Sequence, residues 1–530
     1  MSDIAAGGPL PLPNDRSIEA MFARYGPRYR LYVSAAVMLG TISTILASTI
    51  VNVALPGVMG AFGVGQDQAQ LLATGFLAAN TSFMLLNSWL VETVGFRATY
   101  AIAVAIFLIA SLAAPYSASF DMMVLCRIMQ GCSAGLLQPL TMQIIFQVFP
   151  PERRGTAMGM FACGVVMAPA IGPSIGGLVV DEYGWRSVFY LAMPVSIIGL
   201  ILGMIFLPDR VATGPRRRFD IIGFLLLITW NGLLLYGLSH GQRWGWLAMR
   251  TELVLICAGL SFAAFILWEL KTDSPLLNPR LFTNRAFSAS AAVSFVYGGA
   301  MFGSTYLVPL FAQTIQGYSA TRAGMLLMPA GLLAAVVFLF AGRLADRIRG
   351  WPLVAGGMVI FGLSSSNMTG VHTDTPFWLL AGWVMLGRLG LGLTMPAMNS
   401  GALRALPPHW VGQGSGAVNF CRMMGAAFCT NLLSVRLERS TQIYAEALTA
   451  AQDGNAAMQE MVRLLSGIMR EEGVPDGILL GGVYDYLGRV VWLQANMLGF
   501  RDAFEFVSTA CFLAVLPAML LRRKPSPPPE

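Results

Sequence analysis

The sequence predicts an all-α polytopic membrane protein: two bundles of six transmembrane helices with two additional helices inserted between them, 14 spans in all. Three observations predict it. Apolar runs of about 20 residues recur along the chain, each long enough to cross the ~30 Å hydrocarbon core of a bilayer. Lysines and arginines collect on alternate connections between those runs. The later part of the chain also repeats motifs of the earlier part. Of 530 residues, 56% are hydrophobic and only 12% are charged, whereas soluble domains carry roughly 25% charge.

Taken in order, the expected spans are 31–56, 69–91, 99–117, 121–149, 155–180 and 187–207, then 220–239 and 251–270. The remainder are 287–313, 322–345, 352–370, 377–405, 411–435 and 502–521. This divides the chain into an N-terminal segment (1–30), a first bundle (31–207) and two inserted helices (220–270). A second bundle (287–521) carries a long external segment, 436–501, amphipathic and partly helical over Thr441 to Arg470, and residues 522–530 form a tail. The N-terminus and alternate connections hold 21 lysines and arginines, against four on the opposite short connections. That asymmetry predicts cytoplasmic termini, with 436–501 on the outer face. The net charge of +7 therefore implies no nucleic-acid partner. No cleavable leader is expected, because residues 1–30 are polar and the first apolar run is too long for one. All seven cysteines lie within apolar runs and read as small buried hydrophobes, with no metal or disulfide spacing.

Self-comparison exposes the repeat. Pro139, Pro150-Pro151, Gly155 and Gly159 recur 257 residues later as Pro396, Pro407-Pro408, Gly412 and Gly416. Arg127-x-x-x-Gly131 recurs as Arg388-x-x-x-Gly392, and Leu90-x-Glu92 has a looser counterpart in Leu344-x-Asp346. Equivalent elements fall on the same side of the membrane, so the halves are parallel repeats about the membrane normal. That is a transporter architecture.

Five stretches together resemble the major facilitator superfamily, specifically its fourteen-span drug:proton antiporter branch of EmrB and QacA type. They are Ser48 to Pro56 (STIVNVALP), Arg127-Ile-Met-Gln-Gly131, Gly172-Pro-Ser-Ile-Gly-Gly177, Trp185-Arg-Ser-Val-Phe189 and Gly342-Arg-Leu-Ala-Asp346-Arg347. The resemblance covers nearly all of 31–521. It implies export of hydrophobic or amphiphilic small molecules by alternating access, coupled to protons, in the inner membrane of a bacterium. It also implies a periplasmic adaptor and an outer-membrane channel as partners, and no cofactor. The sequence departs from the branch at Ala47, where the family usually carries an Asp. No other carboxylate is expected near a midplane, since Glu92, Asp121, Asp220, Glu269, Asp346, Asp502 and Glu505 all sit at or near span ends. A carrier of lipophilic cations would offer a desolvated negative partner; here arginines stand inside the spans. Export specific for anionic amphiphiles such as fatty acids, and a non-transporting sensor or scaffold on the same fold, remain alternatives.

Arg127 is the leading site residue, because a charge within a span is costly unless it faces protein or water. The resemblance implies a proton-coupling role for it. Arg388 and Arg422 also lie inside apolar runs, and the amides Asn52, Asn80, Gln130, Gln138 and Asn419 are candidates to line the same cavity. Pro169, Gly172, Pro173, Gly176 and Gly177 should bend the fifth span and let it approach a helix of the opposite half, as an outer seal. At the cytoplasmic end, Glu92 with Arg97, and Asp346 with Arg343 and Arg347 beside Gly342, form an expected latch. No phosphate loop, metal-ligand cluster or nucleophile–base pair appears, so neither an ATP-driven pump nor an enzyme is expected.

Overall fold

A computed structural model of the chain describes residues 17–209, 218–246, 248–452 and 456–521. The side chains of Asn52 and Pro173 lie outside the described set, as do residues 1–16, 210–217 and 522–530 with the arginines they add to the charge count. Among the described residues the fold is helical throughout, without a strand.

Fourteen helices overlap the expected runs, the last of them starting well before its run, at Asp476, and ending at Leu513, with a short helix Val515–Leu520 after it. In the first half they are α1 (Tyr29–Phe62), α2 (Leu71–Val94), α3 (Phe96–Ala113), α4 (Phe120–Val148), α5 (Arg154–Tyr183) and α6 (Met193–Phe206). Then come α7 (Ile221–Trp244) and α8 (Met249–Glu269). In the second half are α9 (Arg285–Thr314), α10 (Ala320–Arg347), α11 (Gly350–Asn367), α12 (Phe377–Arg404), α13 (Val411–Ala450) and α14 (Asp476–Leu513). Among the described residues, ten helical stretches are long and apolar enough to cross a membrane. α2, α5, α11 and α13 fall outside those ten, and for α2 and α13 buried polar side chains explain it. These are Asn80, Thr81 and Asn87 in α2 and Gln413, Asn419 and Arg422 in α13, set against protein rather than lipid.

Local chemistry sets the boundaries. Ser119, Asp220, Asn284 and Ser319 cap α4, α7, α9 and α10 by accepting from first-turn amides. The pairs Pro150-Pro151 and Pro407-Pro408 stop α4 and α12, because each proline removes a backbone donor and disfavours helix in the residue before it. α1 ends on Gly63 in the left-handed region (φ 63°), which a side chain would strain.

The repeat is visible in the packing. α1 lies on α5 as α9 lies on α13, and α2 pairs with α4 as α10 pairs with α12. Between halves the most extensive contacts are α5 with α10 and α13 with α2, again an equivalent pair, and α12 also meets α5 and α13 meets α4. The inserted α7 and α8 pack mainly on each other, and α7 leans on α2, where the Asn231 amide donates to the Ala78 carbonyl (2.8 Å) and Ser82 Oγ (2.9 Å).

The segment 436–501 is more ordered than its sequence suggests. α13 is 40 residues long and α14 is 38, so each runs to roughly 60 Å at 1.5 Å per residue, well beyond the hydrocarbon core. Together with the helix Ala456–Glu471 they build a helical projection. Leu437 and Thr441 of α13 meet Gly499 of α14, while Leu479 and Val483 are buried further along. The helix Ala456–Glu471 nonetheless keeps Met461, Leu464 and Ile468 exposed.

Candidate functional site

At the end of the molecule where α5 begins, Asp346 joins the two halves. Its Oδ1 accepts from the Gly155 amide (2.6 Å), and its Oδ2 from the amide (2.8 Å) and hydroxyl (2.7 Å) of Thr156. The carboxylate of α10 thus caps the first turn of α5, where unpaired amides and the helix dipole favour an anion. Arg404 of α12 donates to Asp346 Oδ1 (3.1 Å) and to the Pro151 carbonyl (3.1 Å). Glycines bring the helices close enough. A Cβ on Gly342 would stand 2.7 Å from the Gly155 carbonyl oxygen and 2.9 Å from the Gly159 Cα, both backbone atoms.

Three of the expected latch pairings are different in the structure. Arg404 takes the place foreseen for Arg343 and Arg347, which lie exposed near the end of α10. Arg97 pairs with Asp209 (3.3 Å), and Glu92 accepts from Ser88 Oγ (3.0 Å), one turn earlier on α2. Residues three or four apart on one helix meet readily, which explains the Ser88–Glu92 contact.

The glycines of the fifth span also have another partner. A Cβ on Gly172 would meet Thr49 Oγ1 at 2.5 Å, and one on Gly176 would meet Ile50 Cγ2 at 2.8 Å, while Gly177 faces Val53. All three residues belong to α1 of the same half. These glycines therefore seat α5 on α1, and the cross-half approach of α5 runs through Gly155 and Gly159 at its other end. Pro169 lies within the unbroken α5.

Arg127 is buried in the first half. Its Nη1 donates to Gln130 Oε1 (2.7 Å) and to the Ala47 carbonyl (3.4 Å), its Nε donates to the Leu72 carbonyl (3.4 Å), and its guanidinium lies 4.6 Å from the centre of the Phe76 ring. Gln130 in turn donates to Ser111 Oγ (2.9 Å). One arginine thus ties α4 to α1 and α2, and through Gln130 to α3. The backbone at Ala47 supplies an acceptor where the family's Asp would supply a charge.

A second polar cluster crosses between the halves. Arg422 of α13 donates through Nη2 to Asn419 Oδ1 and to Gln138 Oε1 of α4 (3.5 Å). The Asn419 amide donates to the Ser415 carbonyl (2.8 Å) and approaches Met142 Sδ of α4 (3.2 Å). Gly298 of α9 packs against the Arg422 carbonyl and Gly425 of α13 against the Phe295 carbonyl, which fixes the backbone that carries the arginine. Asn80 is buried in α2, with its backbone carbonyl against Gly135 of α4.

Arg388 stands apart from this seam. It donates to Thr305 Oγ1 (2.7 Å) and lines a cavity of about 10 Å³ among α9, α11, α12 and α14, with Ser304, Ser364 and Ser365. That space holds about one water molecule, so Arg388 serves the inside of the second bundle. At the opposite end Asp502 accepts from Ser440 Oγ (2.8 Å) and Tyr444 Oη (3.3 Å), with Arg436 at 3.9 Å, and Glu505 is exposed. Burial raises the Tyr444 hydroxyl above the ordinary phenol range, and the Asp502 carboxylate adds to the effect, so the hydroxyl stays a donor. Thr156 and Arg404 are the residues that sequence reasoning missed. The signal for Thr156 was its place beside Gly155 of the repeat.

Comparison with known proteins agrees with this geometry. The family model described as Major Facilitator Superfamily matches residues 37–430. The chain is 27% identical to the tetracenomycin C resistance and export protein of Streptomyces glaucescens, covering 92% of this chain and 91% of that one. It is 26% identical to the multidrug export protein EmrB of Escherichia coli (strain K12), covering 88% and 92%. The crystal structure of the human organic anion transporter MFSD10 (TETRAN) superposes with a TM-score of 0.60 at 15% identity, over 93% of this chain and 99% of that one, a likeness of fold. Two parallel helical repeats, a clamp between them and these relatives lead to one conclusion: the chain belongs to the Major Facilitator Superfamily, in its EmrB/QacA-like branch.

Proposed function

We propose that this multi-pass membrane transporter is a secondary exporter of hydrophobic and amphiphilic small molecules, working by proton-coupled antiport and alternating access. The observation that carries the reading is the Asp346 clamp. Two pseudo-equivalent halves touch at one end through a carboxylate seated on a helix terminus and an all-glycine backbone crossing. At the other end α5 stays with its own half. Such a contact is strong enough to hold one end closed and polar enough to be given up to water, which suits a rocking motion between repeats. The direction of transport is supported by relatives that bear export in their names. The charge asymmetry of 21 against four supports placing the Asp346 end and both termini in the cytoplasm, with fourteen spans in a bacterial inner membrane.

The test is flux in proteoliposomes under an imposed pH gradient, with a lipophilic fluorescent probe. The reading expects accumulation driven by the gradient and its loss when the gradient is collapsed. No gradient-driven movement of any amphiphile would overturn it.

A further inference from the structure

We infer that Arg422, with Asn419 and Gln138, is the contact that selects substrate by charge, and that the class it selects is amphiphiles with an anionic oxygen headgroup, a carboxylate above all. The inference rests on the exporter reading and deepens it.

Depth places the cluster well. Arg422 stands eleven residues into α13 and Gln138 ten residues before the end of α4, on the same side, so both sit roughly 16 Å into the membrane and near its midplane. Substrate sites of repeat-built transporters lie there, at the interface of the halves. Arg422 reaches Gln138 across that interface.

The chemistry points to an anion. Arg422 is 1% exposed, and its Nη1 donates to no protein atom. No ion pair engages it among the described residues, whose only buried carboxylates are Asp220 and Glu269 at the ends of α7 and α8. A desolvated guanidinium held only by two amide oxygens is poorly compensated, whereas a carboxylate would accept from both of its terminal nitrogens. The 3.5 Å contact to the Gln138 amide oxygen is the weakest link of the cluster, and a carboxylate can replace it when the halves part. An apolar tail has a place beside the charge, since Met84, Phe420, Met423 and Met424 form one buried cluster along α2 and α13. Methionines accommodate varied shapes.

The repeat supplies an independent argument. At the offset of 257, Arg422 corresponds to Val165 and Asn419 to Ala162, while the packing glycines 412 and 416 match 155 and 159. The polar cluster is therefore absent from the equivalent helix of the first half, and helix packing as such does not require it.

The test is equilibrium binding to the purified full-length protein of three C12 amphiphiles, dodecanoate, dodecanamide and dodecyltrimethylammonium, followed by their flux in proteoliposomes. The wild type should bind dodecanoate about tenfold more tightly than the amide, with the ammonium weakest. Arg422→Gln should erase that preference, and Arg422→Lys should keep part of it. Because Arg422→Gln could misfold, Gln138→Glu provides a second arm: it gives the arginine an internal carboxylate and should abolish the preference for dodecanoate. A preference unchanged in Arg422→Gln or Gln138→Glu, or a wild type that favours the ammonium, overturns the assignment. Flux of the ammonium alone, indifferent to Arg422, overturns the assignment and leaves the exporter reading standing. Dodecanoate binding that depends on Arg422 without flux of any probe supports the assignment and contradicts the exporter reading.

Discussion

At the scale of single residues, the three intramembrane arginines differ in what they touch. Arg127 donates to two backbone carbonyls and a glutamine, and nothing in its surroundings requires a ligand. Arg127→Ala opens a void and leaves Gln130 short of a donor, so it should lower the unfolding free energy by about 3 kcal/mol. Arg127→Lys cannot reach both carbonyls at once and should lose less than the alanine. Thermal unfolding in detergent checks both, and an unchanged midpoint for Arg127→Ala would contradict this role. Asp346 acts across the halves. Replacing it with asparagine keeps the shape and removes the charge that favours the start of α5. The Gly155 and Thr156 amides should then exchange hydrogen about tenfold faster, the effect of a charge at a helix terminus, while amides of α3 stay unchanged.

At the scale of elements, close packing decides which helices move as one. Gly172 and Gly176 bind α5 to α1, and Gly155 and Gly159 bind it to α10. Gly342→Ala places a methyl 2.7 Å from the Gly155 carbonyl oxygen, against backbone that cannot rotate away. The crossing should open, and the first turn of α5 should lose protection as it does in Asp346→Asn. The outer projection is a separate matter. Val483 is fully buried there, and Val483→Asp would bury an unpaired charge at a cost of several kcal/mol. Limited proteolysis should then cut the stretch from 451 to 475 while the bundle stays intact. Resistance equal to the wild type would mean that the projection does not depend on that contact.

At the scale of the molecule, how much was legible depended on whether the information was local. The apolar runs and the 257-residue repeat pointed to the spans and to the pairs Gly155/Gly412 and Gly159/Gly416, because periodicity and small-residue spacing are written in the chain itself. Asp346 and Gly342 were also legible. Their partners were not: Arg404 lies 58 residues beyond Asp346 on another helix, and only the folded bundle brings them together. A glycine face announces close approach without naming the neighbour, which is why Gly172 to Gly177 met α1 and not the opposite half. The segment 436–501 was legible as amphipathic and partly helical, whereas the unbroken continuation of α13 and α14 into it was not, because polar residues interrupt the apolar run there. Arg422 was legible as a charge in a span, and its tie to Gln138 was not, since 284 residues separate the two.

The claim that joins these scales is that the Asp346 clamp holds one end of the two halves together and that its release lets them part. Arg153, just before α5, and Arg349, just after α10, are both exposed and flank the clamp from opposite halves. Spin labels at these two positions, with the distance between them read by pulsed electron resonance, test the claim most directly. A single short distance in the otherwise wild-type protein, joined by a longer population in Asp346→Asn, is the predicted result. The same single short distance in both proteins would contradict it.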